Sequence, residues 1–98
     1  MNTELKTIKN KLSEYKLVLE EQYKVKEIGV FGSFVRGEQK KKSDLDILVD
    51  FYEPISLLNF IRLENNLSKY LGINVDLVMK NALKPRIGSH ILKEVVNI

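Results

Sequence analysis

The apolar residues of this chain change period several times, and each change marks an element. From Thr3 to Lys24 they fall at Leu5, Ile8, Leu12, Tyr15, Leu19 and Tyr23. Steps of three and four residues predict one buried face of a helix. Lysine and glutamate fill the other faces, and Asn2 or Thr3 is available as the N-cap. Val25 to Phe31 is β-branched, apolar toward its end and stopped by Gly32-Ser33, which predicts a strand. Ser33 to about Gly37 has room for one short helical turn, and Gly37 to Ser43 is a polar loop. Asp44 to Phe51 predicts a second strand. Leu45, Ile47, Val49 and Phe51 share its core face; Asp44, Asp46, Leu48 and Asp50 share the other.

Pro54 ends that strand, and Ser56 is a suitable N-cap for a helix running to Leu71. Leu57, Leu58, Ile61, Leu67 and Leu71 are its expected buried stripe, and Gly72 stands at the C′ position. Ile73 to Met79 alternates cleanly and predicts a third strand, with Ile73, Val75, Leu77 and Met79 facing one way and Asn74, Asp76 and Val78 the other. Pro85 is well placed to open a last helix with Ile87, Ile91 and Val95 on its inner face. Helix, strand, short helix, strand, helix, strand, helix predicts an α/β (α+β) domain, a mixed sheet of about three strands flanked by helices. Residues 1–98 form one domain, because a chain this short supports a single modest core.

The candidate chemistry lies between the first two strands. A glycine–serine turn leaves one, and Asp44-Leu45-Asp46 enters the next. Carboxylates at i and i+2 on a strand point the same way, with Cα atoms about 6.5–7 Å apart. From that separation they can share a metal, or two metals about 3.5–4 Å apart. A turn with free N–H groups beside them suits the phosphates of a nucleotide. Asp76 is the acidic residue in the middle of the apolar third strand. Buried there, it would be costly unless paired or bound to a cation; the alternative is a strand-edge aspartate in water.

Gly32-Ser33, ten residues and Asp44-x-Asp46 resemble the signature of the DNA polymerase β-like nucleotidyltransferase superfamily. The fuller string, Gly-Ser-x-x-Arg-Gly-x(5)-Ser-Asp-x-Asp, resembles its smallest branch, the minimal nucleotidyltransferases, over nearly the whole chain. The resemblance implies Asp44, Asp46 and Asp76 as catalytic residues and ligands of Mg2+, two ions in all, with Asp76 nearest the attacking hydroxyl. It implies Gly32, Ser33 and Arg36 as nucleotide-binding residues and ATP as the donor. Arg36 can instead form a salt bridge within its loop. Phe34 stands where many relatives carry a second basic residue, which leaves the phosphates leaning on Arg36 and the metals.

The same resemblance implies an antitoxin that moves AMP to a hydroxyl, a tyrosine, on a HEPN-type helical toxin. Larger relatives hold the acceptor in a second domain, for which this chain has no residues to spare. A partner or a second copy is therefore expected to carry it, docked on an exposed apolar patch of the first or last helix. Two other readings stay open: an antitoxin that only binds, and the catalytic subunit of a small-molecule, antibiotic-type nucleotidyltransferase.

Bulk composition adds limits. The formal charge of +3 permits an anionic partner without demanding one. The absence of cysteine rules out a disulfide framework or a thiolate metal site, and suits a cytoplasmic protein. No apolar run approaches the ~18 residues of a membrane span. The lysine run Lys40–Lys42 reads as a solvated loop, with contact to phosphates or an acidic partner as the alternative, and Ser43 as a turn residue. His90 has no histidine one turn away, so a zinc-protease pair is excluded and a helix-surface or rim position is expected. Arg86 and His90 are only three residues apart in between, a near miss to the Arg-x(4–6)-His motif of HEPN ribonucleases, so the chain does not read as the nuclease. Its four tyrosines lack the strand spacing of a base-stacking platform, and no direct nucleic-acid binding is expected.

Overall fold

A computed structural model describes residues 3–98. The elements, in order, are α1 (Thr3–Tyr23), β1 (Val25–Phe31), α2 (Ser33–Arg36), β2 (Leu45–Phe51), α3 (Leu57–Leu71), β3 (Val75–Met79), a 3-10 turn (Lys80–Ala82), α4 (Pro85–Glu94) and β4 (Val96–Asn97). Asn2, the alternative cap of α1, lies outside the described residues.

The sheet is mixed, in the order β3-β2-β1-β4. β1 pairs antiparallel with β2 and β4, and β2 pairs parallel with β3. The fourth strand is an addition to the expected three. Its two residues carry no periodic signal, and it exists only because the chain after α4 returns to the free edge of β1. Gly29 makes that return possible: a Cβ there would come within 2.6 Å of Val95 Cγ2 and 3.1 Å of the Val96 carbonyl oxygen.

α1 and α3 cover one face of the sheet. Ile8, Leu12 and Leu19 from α1 meet Leu63, Leu67 and Leu71 from α3 over Ile28, Val30, Leu45, Ile47, Val49, Val75 and Leu77. The face expected for β2 is the one buried, with Phe51 at its margin. Leu48, on the opposite face with Asp46 and Asp50, is buried as well. Tyrosines join the two helices rather than forming a platform. Tyr15 stacks on Tyr70 at 4.3 Å between ring centroids, the Tyr70 hydroxyl donates to the Lys11 carbonyl, and Tyr23 accepts from Asn66.

Two helical faces differ from expectation. The buried stripe of α3 is Leu63, Leu67 and Leu71 with Phe60 beside them, whereas Leu57, Leu58 and Ile61 are exposed. The apolar residues at the start of α3 outnumber those its neighbours can cover, and α1 meets the helix further along. On α4, Ile87 is exposed, Gly88 is the buried residue, and Val95 ends the helix with extended backbone instead of continuing it. The large exposed apolar side chains are therefore Leu17 on α1, Ile87 and Leu92 on α4, and, beyond the two helices expected, Tyr52 and the first turns of α3.

The local signals held. Ser56 Oγ accepts from the Asn59 amide at 3.2 Å, Gly72 closes α3, and Pro85 opens α4. The edge strand β3 is covered from α3: Ser68 Oγ accepts from the Val75 amide and Glu64 Oε2 from the Leu77 amide. Those N–H groups would otherwise offer a free edge to another chain.

Candidate active site

Parallel pairing of β2 with β3 puts Asp46 directly opposite Asp76. Register partners in a parallel pair project to the same face, here the one away from α1 and α3. Antiparallel pairing with β1 sets Phe31 against Asp46, so the chain leaves β1 beside that carboxylate and turns at Gly32. Gly32 has φ +82°, and a Cβ there would lie 2.0 Å from Asp46 Oδ2. The glycine is thus required twice, by its backbone angle and by the carboxylate that occupies the space of a side chain.

Asp46 is half-buried, while Asp44 and Asp76 are exposed. Asp76 is not the buried carboxylate that its apolar strand suggested; it sits on the sheet's edge strand, in water, and still faces Asp46. Burial first, then the negative charges of Asp76 and Asp44, push the Asp46 carboxyl up to about 6, with a hydrogen bond shared with Asp76 adding to the shift and Arg36 opposing it. Asp44 precedes the first residue of β2, and its Oδ1 accepts from Asn74 Nδ2 at 2.9 Å. Among the described residues, no group of three or more His, Asp or Glu side chains is drawn into a closed metal-holding set. The carboxylates do fit a hard divalent cation in kind: they are oxygen donors, and their mutual repulsion on Asp46 is what a cation relieves.

An open cleft of about 610 Å3 lies between the turn and α4, lined by Phe31, Gly32, Arg36, Asp46, Ile87, His90, Ile91, Lys93 and Glu94. It takes in three of the six expected site residues, Gly32, Arg36 and Asp46; Ser33, Asp44 and Asp76 lie outside its lining. Phe34 is packed in the core under the turn and does not reach the cleft. The Arg36 guanidinium pairs with Glu38 at 3.2 Å and with Glu94 at 2.6 Å. The salt bridge within its loop is therefore present, together with a second, longer-range one. The lysine run sits outside the cleft, in a turn closed by Ser43, whose Oγ accepts from the Lys40 amide at 2.7 Å.

His90 is exposed on α4, as its helix-surface or rim reading expects, and there it lines the cleft; Lys93 and Glu94 were not expected in it at all. The place of these three side chains on the cleft wall is what sequence reasoning missed. The available signal was weak: an amphipathic last helix whose polar face carries both charges gives no reason to point at a turn 60 residues away.

The sheet sets Asp46 against Asp76 beside a glycine–serine turn, and the class of protein follows from comparison with known proteins. The chain matches the nucleotidyltransferase domain over residues 12–98. It belongs to that family, and it is a nucleotidyltransferase of the minimal kind. Protein adenylyltransferase MntA of Thermococcus cleftensis is 54% identical over 94 residues, covering 96% of this chain and 95% of that protein. A solved structure assigned as a minimal nucleotidyltransferase superposes with a TM-score of 0.80 at 36% identity, over 96% of this chain and 95% of that one. Two further structures share the fold at lower identity. One is a toxin–antitoxin with AMP-PNP (TM-score 0.71, 23% identity, 86% of this chain and 69% of that one). The other is a tri-AMPylated Shewanella oneidensis HEPN toxin in complex with MNT antitoxin (TM-score 0.68, 19% identity, 92% and 70%).

Proposed function

We propose that this protein transfers AMP from ATP to a tyrosine hydroxyl of a HEPN-type toxin and so acts as its antitoxin. The observation that carries the reading is the Asp46–Asp76 register pair beside Gly32. The name of the T. cleftensis relative, a protein adenylyltransferase, supplies the reaction class, and the tri-AMPylated toxin bound to an MNT antitoxin supplies the partner class.

In this reading Asp44, Asp46 and Asp76 hold Mg2+. Bound there, Mg2+ would offset the charge that grows on the triphosphate during in-line displacement. The Gly32 amide, Ser33 and Arg36 hold phosphate oxygens, with Lys93 adding positive charge and His90 a ring N–H from the opposite wall. Asp76, exposed at the sheet edge, meets an acceptor that arrives from solution on another molecule. The acceptor oxygen forms a bond to the α-phosphorus, the bond from that phosphorus to the bridging oxygen breaks, pyrophosphate departs, and the hydroxyl proton passes to Asp76 or to water.

The test is label transfer from α-labelled ATP to a HEPN-type toxin in the presence of Mg2+. Transfer should vanish in Asp46→Asn and Asp76→Asn, and neutralisation of the toxin should vanish with it. Neutralisation that survives both changes would replace catalysis with simple docking.

A further inference from the structure

The groups assigned to the triphosphate already hold an anion. Glu94, the last residue of α4, accepts from the Gly32 amide through Oε2 at 2.9 Å and from Arg36 Nη1 through Oε1 at 2.6 Å. One carboxylate thus spans a backbone N–H and a guanidinium, the pair of donors that an oxyanion of a phosphate would use. Resting on the phosphate reading above, we propose that Glu94 is a built-in stand-in for phosphate, closing the nucleotide subsite in the free protein and leaving it when a triphosphate enters.

Three features favour a displaceable plug over a fixed strut. Gly32 has one N–H, so Glu94 and a phosphate oxygen compete for it. The carboxylate sits at the C-terminal end of α4, where the helix dipole disfavours negative charge, so the helix itself does not hold it there. The anchoring of α4 is slight: Ile87 and Leu92 are exposed, Gly88 is the one residue of the helix that is buried, and the Glu94 side chain retains 23% of its exposure. Glu94 can therefore rotate into water without opening the core. When it leaves, Arg36 and Lys93 face Asp46 alone on the cleft wall, and the balance of formal charge there moves one unit toward positive. Although partial burial acts to raise it, the hydrogen bonds from Arg36 and Gly32 hold the Glu94 carboxyl below its ordinary range, so it is ionised when it competes.

Calorimetric titration of wild type, Glu94→Gln and Glu94→Ala with inorganic tripolyphosphate and with Mg2+–ATP tests this. Removing a competitor that fills the subsite about nine-tenths of the time tightens the apparent Kd about tenfold. Both variants should show that gain, the glutamine less than the alanine. Binding that is unchanged or weaker in both makes Glu94 a positioning group and overturns the proposal. Should neither the wild type nor the variants bind either probe, the phosphate assignment itself fails and the plug with it. The wild-type protein gives a check free of mutation: the side-chain carboxylate 13C resonance of Glu94 and the Gly32 amide should both move on saturation with tripolyphosphate. A Glu94 resonance that stays put while the probe binds also overturns the proposal.

Discussion

Asp46 and Asp76 stand opposite one another on neighbouring parallel strands, and the nearer of the two to the core carries a carboxyl raised to about 6. Folding therefore brings a negative charge into a place that resists it. A carboxyl with a folded value above its unfolded one adds stability below the unfolded value, and that stability is lost as pH rises through the folded value. For Asp46 the window runs from the ordinary aspartate range near 3.8 to about 6. Asp46→Asn should thus stabilise the metal-free protein at pH 7–8. A shift of this size corresponds to ~3 kcal/mol at most; half-exposure and solvent screening reduce it to about 1 kcal/mol. Thermal denaturation should show a gain of about 4–8 °C, shrinking toward pH 4. A Tm that falls, or a gain independent of pH, would contradict the assignment.

Gly32→Ala should damage both the fold and the site. The residue has positive φ, and the added methyl would meet Asp46 Oδ2 at 2.0 Å, so the turn or the carboxylate must move. A cost of about 1–3 kcal/mol is expected in urea denaturation. The double variant Gly32→Ala/Asp46→Ala should recover the steric part. Full additivity of the two changes would show that the contact is absent.

The corrected stripe of α3 predicts a sharp contrast between leucines. Leu63 is fully buried, so Leu63→Ala should cost about 3 kcal/mol or more. Leu58, 59% exposed, should change stability by less than about 0.5 kcal/mol as Leu58→Ser. Paired chemical denaturation curves measure both. Similar costs for the two would restore the stripe that periodicity alone suggests.

Glu64→Ala should loosen the strand that carries Asp76. It removes the acceptor of the Leu77 amide at a sheet edge. About 1 kcal/mol is expected for the lost bond. Hydrogen exchange at Leu77 should speed up well beyond that at Ile47 in the sheet centre, and equal protection at both sites would show that the contact does not hold the edge.

How far the sequence alone carries differs from element to element. The alternation of β2 placed Leu45, Ile47 and Val49 in the core and Asp46 on the opposite face, because period two is a property of the extended backbone itself. Caps at Ser56 and Gly72 and the opening proline of α4 were equally legible, since each satisfies backbone groups within a few residues. The α3 stripe was misread because apolar residues cover more than one face of that helix, and periodicity cannot say which face meets α1.

Sequence by itself, then, determined the order of the elements as far as α4 and the face of β2 on which Asp46 stands, through periods and caps local to the chain. Tertiary structure alone decided that Asp76 faces Asp46, that β4 closes the sheet's free edge, and that Glu94 reaches Gly32 and Arg36. Those three pairings join residues 30 to 68 positions apart, and strand register and helix placement, which set them, are properties of the packed core as a whole.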